Sequence, residues 1–267
     1  WNTRPEIDPL LEAMDEGERI AVLFFDKERA RLFVIALGEI EERQGVFDEV
    51  PGKQKTGDWF ALSQKRYERH HEDHVLRHLH RTVAVLMDEL QRKPFDRLFV
   101  AGPAEALSML MHHLPRPLRL RYAGTLQLEW FAPDSEIMDA ALKAAEAAER
   151  QQELAEVTRL LDNLNGQVVL GLEPTLAALW ERRVDRLFLT SAIKGPGGRC
   201  PACGRLVAGT GPCPVCETEV VPIDDLRAAI VEQALASEAK VEFVGGEAAT
   251  RLEEHGAIGG WTRYQPG

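Results

Sequence analysis

The chain of 267 residues is 45% apolar and 28% charged, with a formal net charge of −11. That length allows one large domain or two of ordinary size, and the balance is that of a globular protein. It excludes a generically basic nucleic-acid binder, so any such contact has to come from a local patch on an acidic body. No run approaches the ~18 uncharged apolar residues of a membrane span.

The opening WNTRPEIDPL has neither the basic start nor the apolar core of a signal peptide. It also lacks an initiator Met, so further residues are expected ahead of Trp1. Residues 20–26 (IAVLFFD) and 30–38 (ARLFVIALG) read as two apolar strands joined by a short charged turn, and 39–50 as a third, more exposed strand. The turn-rich stretch 51–59 then leads into a long helix. Its apolar stripe is predicted as Leu76, Leu79, Val83, Leu86 and Leu90, ended by Pro94. A buried strand at 95–102, a helix at 104–114 and a strand at 117–124 complete this half.

Ser135 is a candidate N-cap for a second long helix, which runs to about Leu164. Ile137, Ala141, Ala148, Leu154, Val157, Leu161 and Leu164 fall roughly on one face of it. Beyond it, strands are expected at 167–171, 184–191, 218–223, 239–245 and 257–264, with helices at 173–183, 224–237 and 247–256. Alternation of this kind implies sheets covered by helices, an α/β architecture.

All four cysteines lie between Arg199 and Cys216, in RCPACGRLVAGTGPCPVC. Cys200, Cys203, Cys213 and Cys216 follow the spacing C-x2-C-x9-C-x2-C, each pair being C-P-x-C. Two such turns facing one another close a tetrahedron of thiolates around Zn²⁺. The same spacing also suits two disulfides, which a reducing compartment disfavours. With four protein ligands no coordination position stays open, so the metal would be structural and would do no chemistry. The stretch Gly195-Pro196-Gly197-Gly198 reads as a hinge into this loop.

Residues 51–81 hold seven Lys/Arg against four acids, with five histidines between them. Lys53, Lys55, Lys65, Arg66 and Arg69 suit phosphate contacts with RNA, and the alternative is a solvated helix face. Trp59 and Phe60 either stack on an exposed base or pack against the domain. His70, His74 and His78 follow i, i+4, i+8 spacing, as two metal-binding histidines would, and equally suit an exposed helix.

The ending GAIGGWTRY (256–264) resembles the C-terminal signature of the archaeal and eukaryotic peptide-chain release factors, a Gly-Ile-Gly-x-x-Leu-Arg-Tyr strand. The stretch AKVEFVGGEAATRLEEHG resembles the strand and helix before that signature. EPTLAALWERRVDRLFLTS resembles the helix and strand that open the sheet. Paired Cys-Pro-x-Cys turns inserted after that strand are found in archaeal members. In the first half, Val50-Pro51-Gly52-Lys53 resembles the family's Val-Pro-Gly-Lys stretch, and Ser63-Gln64-Lys65-Arg66-Tyr67-Glu68-Arg69 its Ser-Ala-x-Arg-Phe-x-Arg helix start.

The resemblance implies two α/β domains after an N-terminal stub (1–17). The first is a release-factor middle-domain-like unit at 18–133. The second, at 134–267, is an α/β/α sandwich with an inserted zinc-binding loop at 194–218. The family's first domain, which reads stop codons, has no counterpart in these residues.

Aligning on Ser63 puts Phe60-Ala61-Leu62 where the family has its catalytic Gly-Gly-Gln. The family's glycines allow backbone shapes and close approaches that a Cβ blocks. Its Gln orders water and transition-state charge at the peptidyl-tRNA ester. Leu62 has no polar side-chain atom, so ordinary peptide release is expected to be lost.

The resemblance then implies a ribosome-associated translation factor facing the ribosome and the tRNA acceptor end. Its C-terminal domain would meet a translational GTPase or another protein. The bacterial relatives are the more degenerate at the tripeptide, which implies a bacterial cytosol. The alternatives are a peptidyl-tRNA hydrolase or tRNA nuclease using Gln64, and a protein-interaction adaptor without RNA contact.

Overall fold

The computed structural model describes residues 18–47, 60–163 and 167–264, with side chains throughout except at 42–44, 46–47 and 60–71. The described residues fall into two units, one ending at Ala148 and one from Glu149 onward.

In the first unit, strand β1 (Ile20–Phe25) pairs antiparallel with β2 (Arg29–Ala36), Ile20 opposite Ile35 and Phe25 opposite Ala30. Strand β3 (Glu39–Phe47) extends the hairpin at the edge. Helix α1 (Phe60–Arg92) then leads to β4 (Arg97–Ala101), which lies parallel to β1. Helix α2 (Ala104–His113) and a helical turn α3 (Arg116–Arg119) precede β5 (Tyr122–Thr125), parallel to β4. The sheet order is β3-β2-β1-β4-β5.

The unbroken run IAVLFF is explained by burial on both faces. Successive side chains of a strand alternate sides. Ala21, Leu23 and Phe25 therefore pack with Leu79, Leu86 and Leu90 of α1 and Leu107 and Leu110 of α2. Ile20, Val22 and Phe24 join the opposite cluster with Phe33, Phe99 and Ile137. The same cluster takes in Ala141 and Ala145, from the first half of α4 (Asp134–Asp162).

Three expectations need correction here. The apolar stripe of α1 is rotated: Leu76 is 40% exposed, and Val75 is buried in its place beside His78, Leu79, Thr82, Leu86, Glu89 and Leu90. The buried face thus includes three polar side chains, which a search for apolar periodicity skips. Residues 117–124 are not one strand. Pro115 and Pro117 start a helical turn, in which Leu118 N and Arg119 N both donate to Pro115 O, at 3.1 and 3.0 Å. Proline suits a helical first turn, where its missing N–H has no partner to lose. Leu118 is buried while Leu120 is 73% exposed, so the apparent alternation of 118 and 120 is a turn of helix. Helix α4 starts at Asp134, which leaves Ser135 inside the first turn rather than capping it.

In the second unit the sheet order is β11-β7-β12-β6. Strand β6 (Val168–Leu170) pairs antiparallel with β12 (Ile258–Thr262). Strand β7 (Val184–Leu189) pairs antiparallel with β12 and parallel with β11 (Lys240–Phe243). Leu187 and Leu189 of β7 pack with α5 (Leu172–Trp180) and α6 (Leu226–Ala236) through Leu176, Leu179, Ile230 and Ala234. Phe188 points the other way, to Val157 and Leu160 of α4 and Ala248 and Leu252 of α7 (Gly246–Glu253). Helices therefore cover both faces of this sheet.

The glycine pair of β12 has a packing reason. A Cβ on Gly260 would stand 2.5 Å from Arg186 O, and one on Gly259 would stand 2.9 Å from Val169 O.

Between β7 and α6 the chain builds a separate three-stranded sheet in the order β10-β8-β9. It comprises β8 (Gly197–Arg199), β9 (Leu206–Val207) and β10 (Val221–Ile223). The strand expected at 218–223 lies here, paired antiparallel with β8, and does not resume the main sheet. Its Pro222 has no N–H to give a second neighbour, which suits an edge position.

Candidate metal centre

The four cysteines sit in two turns with the same backbone pattern. In the first, Gly204 N donates to Cys200 O at 2.9 Å and Cys200 N to Arg205 O at 2.9 Å. In the second, Glu217 N donates to Cys213 O at 2.9 Å and Cys213 N to Thr218 O at 2.8 Å. The residue four positions after each leading cysteine is left-handed, Gly204 with φ +75° and Glu217 with φ +59°. Glycine takes that conformation without strain, and glutamate takes it at a cost. Pro201 and Pro214 follow the leading cysteines and pre-set φ in each turn.

The turns bring the sulfurs together. Cys200 Sγ lies 3.4 Å from Cys216 Sγ, Cys203 Sγ 3.6 Å from Cys213 Sγ, and Cys216 Sγ 3.8 Å from Cys203 Sγ. All four sulfurs lie within 4.8 Å of one another. A tetrahedron with metal–sulfur bonds of about 2.3 Å has edges of about 3.8 Å, so the arrangement fits a four-coordinate ion. Among the described residues no other group of three or more such ligands gathers.

Protonation follows from crowding. The Thr218 hydroxyl and backbone N–H pull the Cys216 thiol down to about 6. The backbone N–H of Val215 lowers Cys213. At Cys203 the backbone N–H of Arg205 works downward, but burial and the neighbouring sulfurs win and push the thiol up to about 12. Adjacent thiolates repel one another, so the last is hard to ionise without a cation among them.

Several residues around the cluster carry no metal-ligand signature. Trp180 Nε1 of α5 donates to Cys203 O at 2.9 Å, tying the first turn to the main unit. Gly197 and Gly198, expected as a hinge, form the central strand of the small sheet and are buried. A Cβ on Gly197 would meet Val207 O at 2.8 Å, and one on Gly198 would meet Val220 Cγ2 at 2.5 Å and Gly209 O at 2.9 Å. Close approach of neighbouring backbone and of the Leu226 and Val220 side chains is the reason for glycine there. The spacing of cysteines does not carry that information.

Of the expected RNA-contacting residues, Lys53 and Lys55 lie outside the described residues. Lys65, Arg66, Arg69 and the candidate Gln64 lie on α1, where the helix is described and their side chains are not. Phe60-Ala61-Leu62 are the first three residues of that helix. Of the three histidines His70 has no described side chain, and His78 is not on an exposed face: it is fully buried and stacks on Phe25 with ring centroids 5.5 Å apart and planes 7° apart. No helix among the described residues is long and apolar enough to cross a membrane.

A helix-covered pair of α/β units, one interrupted by a cluster of four cysteines compatible with a metal site, defines a mixed α/β protein. The model of bacterial archaeo-eukaryotic release factor family 10 matches residues 5–146, over half of the chain. The chain belongs to that family.

It is 24% identical over 213 residues to peptide chain release factor subunit 1 of Methanopyrus kandleri, covering 74% of this chain and 50% of that one. The chain thus spans about half the length of this curated relative. In fold it is similar to Dom34 of S. cerevisiae, described as a translation termination-like factor (TM-score 0.56, 9% identity, 99% of this chain and 70% of that one). It is also similar to archaeal Pelota in a model of ribosome-bound Pelota and ABCE1 (TM-score 0.57, 14% identity, 99% and 68%).

Proposed function

We propose that this protein is a ribosome-associated translation factor that retains the release-factor scaffold without its ester-cleaving tripeptide. Family membership supports the scaffold, and the Pelota relative is described as ribosome-bound. The observation that carries the reading is Phe60-Ala61-Leu62, which stands where the family's Gly-Gly-Gln is expected. Two of these residues bring Cβ atoms where close approach is needed, and the third lacks the side-chain amide.

In this reading residues 18–133 form the RNA-facing domain, with Lys53, Lys55, Lys65, Arg66 and Arg69 on phosphates of ribosomal RNA or the tRNA acceptor end. Residues 134–267 form the partner-binding domain. Dom34 is described as interacting with Hbs1 and Pelota is shown with ABCE1, which supports a translational GTPase or another translation protein as partner here. Cys200, Cys203, Cys213 and Cys216 hold a structural Zn²⁺, and the protein works in the cytoplasm.

The test has two arms. The protein should pellet with ribosomes at low salt, and charge reversal at Lys65, Arg66 and Arg69 should weaken this. In single turnover on ribosomes carrying peptidyl-tRNA, it should release no peptide above background. Release as fast as that of an active terminator overturns the reading. Release that Gln64→Ala abolishes assigns the chemistry to Gln64 instead.

A further inference from the structure

We infer that a second RNA-backbone surface, separate from residues 51–69, is built where the end of α2 and the turn α3 meet the flank of α1. Between Glu105 and Glu129 the chain carries no Asp or Glu, in a protein of net charge −11. That interval holds His112, His113, Arg116, Arg119 and Arg121. Glu105 is itself engaged by Lys27 Nζ at 2.7 Å. The ring of His113 lies 5.8 Å from that of His80 on α1, which joins the interval to Arg77, one turn before His80 on the same helix face.

Three of these arginines give their side-chain hydrogen bonds to backbone carbonyls. Arg77 donates to Asp73 O, Arg119 to Leu114 O, and Arg121 to Phe95 O and Pro117 O, all backbone carbonyls. None of Arg77, Arg116, Arg119 and Arg121 forms an ion pair among the described residues. Arg19, Arg97, Arg183 and Arg251, by contrast, each meet a carboxylate. A carbonyl fixes a guanidinium without cancelling its charge. The acids nearest on α1 are Glu72 and Asp73 before Arg77, and Asp88 beyond. The result is a positive surface on which Arg77, Arg116 and Arg119 are exposed and Arg121 is half-buried, the complement of a phosphodiester backbone.

The histidines favour RNA over DNA. His112 Nδ1 contacts Ser108 O at 2.8 Å and His113 Nδ1 contacts Met109 O at 2.9 Å. A carbonyl only accepts, so each Nδ1 carries a hydrogen, and a ring holding that one proton alone offers Nε2 as an acceptor. The one donor on a nucleic-acid backbone is the ribose 2′-hydroxyl, which DNA lacks.

The inference deepens the ribosome-associated reading but is measured on naked RNA, so either can fail alone. The probe is a fluorescein-labelled RNA hairpin, followed by anisotropy from roughly 50 to 200 mM salt. Arg77→Glu with Arg116→Glu should weaken binding at least about tenfold at the lowest salt and reduce the log–log salt slope by about 2. Both side chains are exposed, and circular dichroism should show an unchanged fold. Lys194→Glu with Lys240→Glu makes the same charge change in the other unit and should leave affinity and slope close to wild type. A DNA hairpin of the same sequence should bind more weakly. Wild-type affinity and slope in the first variant, equal losses in both variants, or equal affinity for the two hairpins would overturn the assignment.

Discussion

Substituting Gly198 by alanine tests whether the small sheet sets the geometry of the four sulfurs. The new methyl would stand 2.5 Å from Val220 Cγ2, 2.9 Å from Gly209 O and 3.0 Å from Val220 Cβ. Val220 is 8% exposed and packs against Cys200 and Cys213, so it cannot simply swing into solvent. Overpacking of this kind costs about 1–3 kcal/mol. With the proposed zinc in place a module this small would depend on its metal to fold, so the cost is read as lost metal affinity. At 1.4 kcal/mol per factor of ten, the zinc dissociation constant should rise roughly 5- to 150-fold. Gly209→Ala is the control, because nothing lies within 4 Å of its Cβ position and its φ is not left-handed. The assay is competition for Zn²⁺ against a chromophoric chelator, with zinc content checked by elemental analysis. If Gly198→Ala binds zinc as tightly as Gly209→Ala, the small sheet does not hold the cysteine turns in place. If the wild type binds no zinc, the metal assignment itself fails.

Three further outcomes follow from the packing. Trp180→Phe removes the hydrogen bond to Cys203 O, which should cost about 1 kcal/mol and abolish the part of the indole emission change that accompanies zinc titration. An unaltered fluorescence response would show that Trp180 does not report on the turn. Gly102→Ala places a Cβ 2.1 Å from Phe25 O at φ +148°, and should destabilise the first unit by about 2–6 kcal/mol in urea titration. A midpoint equal to wild type would mean the β4–α2 turn is not as described. Glu89 is 1% exposed, with Oε2 on Arg92 at 2.5 Å and no hydrogen bond to Oε1. Because Arg92 is half-exposed and regains water when its partner goes, replacing this buried, half-satisfied carboxylate by Met should be neutral or stabilising by up to about 2 kcal/mol in urea titration, and a clear loss of stability would count against it.

What the sequence made legible depended on whether one physical signal dominated. The strands IAVLFF and VDRLFL could be read because burial on both faces leaves a run with few polar residues. The cysteine cluster could be read because ligand chemistry constrains spacing tightly. Residues 117–124 misled because Leu118 and Leu120 alternate as a strand would, while Pro115 and Pro117 set a turn of helix. On α1 the polar residues His78, Thr82 and Glu89 are buried by their neighbours, and hydrophobic periodicity cannot register them. Gly197 and Gly198 looked like punctuation. Their role depends on Val207, Gly209 and Val220, brought close only by the fold.

The chain enters and leaves the metal module at nearly one point, since Leu226 N donates to Gly195 O at 3.1 Å. The module is therefore an appendix with a pinched neck: residues 196–225 could be excised and the stumps spliced without altering the strand order of the main sheet. The vacancy left behind would be that of Leu206 and Ile223, whose side chains pack into the cluster around Leu226 and Ile230.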